Sequence, residues 1–162
     1  KPAYKFDYSG RQEITHKLPV GKTIFETDIY IEGAPQYRST VFQIHDGRNK
    51  GAPPSWIGVG MDWKLKYKFP KGECSPEKCK KIKTAYLKPG EKNRFKASIN
   101  YQKKSKTLTV FYYLNNEMIA KHIDVPLSKK KQTDHMDQVN LILKLVFTEL
   151  EIQGQQVLLI II

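Results

Sequence analysis

Gln43 and His45 stand two residues apart in the run Val41-Phe42-Gln43-Ile44-His45, and Lys64, Lys66 and Lys68 repeat at the same interval between Trp63 and Phe69. On an extended chain, side chains at i and i+2 leave the same face, about 7 Å apart. The first run therefore offers an amide and an imidazole on one side, with Val41 beside them, and Phe42 and Ile44 on the other. The second offers a file of ammonium groups opposite Trp63, Leu65, Tyr67 and Phe69. An amide, an imidazole and a row of ammoniums match a polyanion whose acidic groups repeat along its length. Arg48, in the Gly/Pro-rich segment between the two runs, and Trp56, whose ring can stack on a sugar, join the same candidate ligand-binding set.

Strands must position these groups, and the rest of the chain reads as strands. Alternation or β-branched and aromatic runs mark Lys1 to Ser9, Arg11 to His16, Thr23 to Ile31, Ser39 to His45 and Trp56 to Phe69. The same signals mark Ile82 to Leu87, Asn93 to Tyr101, Thr107 to Leu114, Glu117 to Val125 and Val139 to Ile152, and the closing run Val157 to Ile162 reads as a buried strand. Gly, Pro or Asn pairs punctuate them about every ten residues, and no segment carries a helical period. The expectation is an all-β chain, an antiparallel β-sandwich or jelly roll, forming a single domain over residues 1–162.

Composition narrows the partners. Lys and Arg number 28 against 16 Asp and Glu, a formal charge of +12. A charge of that size implies an acidic partner: nucleic acid, anionic lipid or acidic polysaccharide. No basic helix, zinc knuckle or ribonucleoprotein-type aromatic motif supports nucleic acid, and no apolar run reaches the ~20 residues of a helical membrane span. Glu26 and Asp28 share a strand face but read as solvated carboxylates, not as the facing pair a glycosidase needs. Asp46, Asn49 and Asp62 are too few and too scattered for calcium, so no metal or other cofactor is expected. Cys74 and Cys79 form a lone Cys-x4-Cys in a Lys/Glu/Pro-rich loop. It lacks the second ligand pair that zinc needs, and a small disulfide closing a surface loop is the favoured reading. With the opening at Lys1-Pro2, this suggests a secreted, extracellular protein, and a monomer is expected.

Val41-Phe42-Gln43-Ile44-His45, followed by its Gly/Pro loop, resembles the Gln-Ile-His strand of polysaccharide lyases with a concanavalin A-like jelly roll, the alginate and glucuronan lyases among them. Arg11-Gln12-Glu13 resembles the upstream Arg-x-Glu strand of that group. Asn93 to Leu114 looks like the long strand-hairpin-strand of concanavalin-like folds, lectins included. The resemblance implies a lyase that cleaves a uronic-acid polysaccharide by β-elimination. Arg11 and Gln43 would neutralise the uronate carboxylate. His45 and a tyrosine would act at the abstracted proton and the departing oxygen. Glu13 and Lys96 would help hold substrate. The family's late Tyr-Phe-Lys-Ala-Gly-x-Tyr-like run is echoed by Phe95-Lys96-Ala97-Ser98, but Tyr101 falls one residue late. Tyr101 and Tyr67 are therefore stand-ins for the catalytic tyrosine. A lectin-like binder of acidic glycans on the same fold is the alternative.

Overall fold

A computed structural model describes residues 4–6, 17–31, 39–46, 53–69, 74–127 and 159–161. Among these residues there is no helix, and ten strands are present. They are β1 (Tyr4–Phe6), β2 (Gly21–Ile31), β3 (Ser39–Ile44), β4 (Ser55–Val59), β5 (Leu65–Lys68), β6 (Cys79–Lys81), β7 (Asn93–Gln102), β8 (Thr107–Leu114), β9 (Glu117–Pro126) and β10 (Leu159–Ile161). They form an antiparallel sheet of seven strands in the order β1-β10-β2-β7-β8-β9-β6 and another of three in the order β3-β4-β5. The sequence expectation of an all-β antiparallel sandwich holds. The expected strands at Arg11 to His16 and Val139 to Ile152 lie outside the described residues, as does most of the loop carrying Arg48.

Period-two burial decides which way each sheet faces. Phe95, Ala97, Ile99 and Tyr101 of β7 are buried, with Leu108, Val110, Tyr112 and Leu114 of β8. Lys96, Ser98, Thr109 and Phe111 between them are half-exposed. The three-stranded sheet answers with Phe42 and Ile44 from β3, Ile57 and Val59 from β4 and Leu65 from β5. Phe42 joins the two layers, its ring centroid 5.4 Å from Phe25, 5.7 Å from Phe95 and 5.7 Å from Tyr112. A polar knot sits in the same interface. Ser55 of β4 hydrogen-bonds both the Tyr112 hydroxyl and Nδ1 of His122 on β9. All three side chains are buried.

Several expectations need correction. Trp56 to Phe69 is a hairpin, not one strand. The chain reverses after Gly60, whose N–H donates to the Lys64 carbonyl at 2.9 Å, and Trp63 adopts a φ of 57° to complete the turn. Alternation continues through such a turn, so periodicity alone did not reveal it. Ile82 to Leu87 makes no regular ladder. Tyr86 forms one bridge with Lys64, while the Leu65 and Leu87 amides bond to Ala85 and Trp63. This segment carries the chain from β6, at the edge of the large sheet, to the edge of β5 in the small one. The cysteine segment is only partly a surface loop. Cys74 and Cys79 form a disulfide, but Cys79 is buried on β6, which pairs with β9. Val41 does not share the open face of Gln43, because a bulge between Thr40 and Phe42 turns both Val41 and Phe42 inward.

Candidate functional site

The outer face of the three-stranded sheet gathers most of the described candidate residues. Gln43 lies opposite Trp56, and Trp56 opposite Lys68, so amide, indole and ammonium form one row across the sheet. The next row is Thr40, Gly58 and Lys66. Directly opposed side chains on such a face stand about 5 Å apart at Cβ. The indole is fixed at two points. Its Nε1–H donates to Thr40 Oγ1 at 2.9 Å, and Lys68 Nζ sits 4.7 Å from the ring centroid. The bond to Thr40 leans the ring toward the position of Gly58, where no side chain competes for space. Lys66 and Lys68 are exposed, and neither forms an ion pair with a described residue. His45 follows the last residue of β3, half-buried, and alternation places it on the side of Gln43.

Gly60 shows how Lys66 is aimed. A Cβ added there would meet Asp62 Oδ1 at 2.8 Å and Lys66 Cε at 3.0 Å, so the lysine stem runs along the strand and packs on the bare glycine. The Asp62 carboxylate accepts the Lys64 amide at 3.2 Å within the same turn. Beyond the other edge of the sheet a cleft of about 220 Å³ is walled by Leu18, Phe25, Phe42 and Ile44, with Lys17 and Gln43 at its rim. Its lining is mainly apolar and suits no charged chain.

Three sequence assignments are not brought to this face. Tyr101 is 5% exposed in the core, on the inner side of β7, where burial raises the pKa of its phenol. Tyr67 follows Leu65 inward on β5 and packs against the core, and burial pushes its pKa up to about 12. A neutral phenol turned away from Gln43 cannot serve as acid or base beside it, so neither residue fills the tyrosine role. Lys96 lies on the outer face of the seven-stranded sheet, 5.2 Å over the Tyr113 ring, with the whole core between it and Gln43. Arg11, Glu13 and Arg48 fall outside the described residues. The Glu26 and Asp28 carboxylates are matched by cations: Arg94 contacts both, and Lys92 bonds Asp28 at 2.6 Å. Burial pushes the Asp28 carboxyl up, but its bonds and charge contacts with Lys92 and Arg94 outweigh this and leave its pKa below the usual value.

Sequence reasoning passed over two contributors. Thr40 locks the indole, and only the cross-strand register reveals it. Tyr86, 48% exposed, stands outward between buried Ala85 and Leu87 and opposite Lys64, whose Nζ is 5.9 Å from its ring centroid. The small-aromatic-large alternation of Ala85-Tyr86-Leu87 was its signal.

The chain matches no protein-family model, and no curated protein aligns with it. Solved structures do share its fold. It superposes on a Trypanosoma rangeli sialidase in complex with sialic acid with a TM-score of 0.57 at 8% identity, over 98% of this chain and 25% of that one. A second structure, described only as a sialidase, gives 0.53 at 10% identity over 98% of this chain and 14% of that one. A GH131 β-glucanase catalytic domain from Podospora anserina gives 0.54 at 9% identity, over 98% of this chain and 68% of that one. The chain thus spans about a quarter or less of the two sialidases. At these identities the likeness establishes the fold alone, a β-sandwich.

Proposed function

We propose that this protein binds an acidic polysaccharide across the outer face of its three-stranded sheet. The observation that carries the reading is the row Gln43–Trp56–Lys68: a flat ring held in place, an amide beside it, and an ammonium with no acidic partner among the described residues. An indole face takes the C–H side of a sugar ring, and a neighbouring ammonium and amide take its carboxylate. The structural neighbours support a glycan partner, since one is a sialidase holding sialic acid and another is a glucanase domain. The disulfide supports an extracellular setting. The test is a titration of a polyuronate and of a neutral glucan of equal length. The polyuronate binds, the glucan binds at least ~10-fold more weakly, and Lys68→Ala narrows that gap, because Lys68 acts through charge. Equal affinity for both polymers, or none for either, removes the proposal.

A second reading, uronate cleavage by β-elimination, rests on Gln43 at the open face of β3 and on the alternation that would set His45, one residue past the strand's end, on the same side. It lacks a tyrosine beside them among the described residues. Formation of unsaturated uronate, lost by at least ~10²-fold in both Gln43→Ala and His45→Ala, would put cleavage in place of simple binding.

A further inference from the structure

The open sheet face does not end at Lys68. β5 carries Lys68 and Lys66 outward, and Lys64, just before the strand, forms an isolated bridge with Tyr86. Two aromatic rings therefore mark the two ends of one line, each with a lysine on it: Trp56 with Lys68 and Tyr86 with Lys64. Lys68 and Lys64 are four positions apart along extended chain, a distance of about 13 Å. One sugar ring cannot cover that span, whereas a short run of rings can. Lys66 lies midway, its stem laid on Gly60 and its head exposed. Gly58, opposite Lys66 on β4, is buried and sets no side chain beside it.

We propose that Tyr86 and Lys64 form a second sugar subsite, and that a linear anionic glycan lies along β5 from Trp56 to Tyr86 with an acidic group at Lys66. This rests on the reading of the sheet face as a glycan surface and adds its direction, its length and its far anchor. The occupant is argued from charge. The line holds three ammoniums, and the carboxylate beside it among the described residues is Asp62, exposed in the hairpin. Its Oδ1 accepts the Lys64 amide and lies with the Lys66 stem over Gly60, so the ammoniums outnumber it three to one. An exposed tyrosine beside a lysine, on a strap whose neighbours Ala85 and Leu87 are buried, is held at a fixed height relative to β5.

The experiment is calorimetric titration of glucuronate oligomers of one to six units into the parent protein, Trp56→Ala, Tyr86→Ala and Tyr86→Phe. In the parent, affinity rises with length until the line is filled and then levels. Tyr86→Ala leaves the shortest oligomers unchanged and loses about fivefold or more on the long ones, the scale of one stacking contact. Tyr86→Phe retains most of it, because the ring does the stacking. Trp56→Ala weakens every length. Parent-like affinities for Tyr86→Ala at all lengths overturn the second subsite and leave the glycan surface standing. An equal loss at every length also overturns it, since that marks a general disturbance of the face. No binding of any oligomer by the parent removes the surface reading and this one with it.

Discussion

His122 is the most consequential single residue outside the ligand face. It is fully buried, with Nδ1 on Ser55 and no hydrogen-bond partner for Nε2 among the described residues. Tyr112 and Phe69 meet its ring edge-on, each with centroids 5.5 Å away. Burial lowers its pKa from about 6.5 to about 4. The unfolded chain therefore takes up a proton there that the folded one refuses. Stability from this group is complete above pH 6.5, declines as pH falls toward 4 and is level below that, a total of roughly 3 kcal/mol. Urea unfolding at pH 7 and pH 5 should show the decline in the parent and a flatter profile in His122→Gln. Equal slopes would remove the assignment. Ser55→Ala strands both the imidazole and the Tyr112 hydroxyl, and should cost about 1–3 kcal/mol in the same assay at neutral pH.

At the scale of elements, the sequence showed strands far better than it showed where they bend. The alternation of Asn93 to Tyr101 and of Thr107 to Leu114 fixes both their existence and their inner faces, because each buries one side against a single core. Asn115-Asn116 was readable as a turn, and both residues adopt left-handed backbone, φ 51° and 68°, as a two-residue hairpin link requires. Asn116→Val should therefore cost about 1–2 kcal/mol, since a β-branched side chain is strained there. Asn116→Gly should be neutral or stabilising in thermal melts. The hairpin at Gly60 to Lys64 was hidden, because Trp63 makes the left-handed bend that a glycine would have advertised. Tyr67 and Tyr101 were misassigned for a related reason. Alternation says that two residues share a face, but not which face is open, and Leu65 and Ile99 settle that only by being buried. Gln43, Trp56 and Lys68 were chosen from residue type and spacing, and the register sets them in one row, with Lys66 in the next row opposite Gly58. Lys96 was not separable from them until the two sheets were told apart. The disulfide closes a very short loop, so reducing it should lower stability by about 2 kcal/mol or less. A melt with and without reductant will show whether the loss stays that small.

For the molecule as a whole, the net charge of +12 sets how binding responds to salt. The screening length falls from ~10 Å at 0.1 M to ~3 Å at 1 M. Affinity for a polyuronate should fall by at least ~10-fold over that range, while the thermal midpoint of the free protein moves little or rises as self-repulsion is screened. A salt-independent affinity would mean that stacking alone holds the ligand. The passage of the chain from β6 to β5 has a different consequence. Ala85 and Leu87 occupy backbone groups of Leu65 and Trp63 that a bare outer strand would leave open. That end of the small sheet's flank is already bonded, which shortens the edge another copy could extend, and on the opposite sheet β6 stops after three residues. Among the described residues both of these flanks are thus short or partly covered, where edge-to-edge growth into fibrils would otherwise begin.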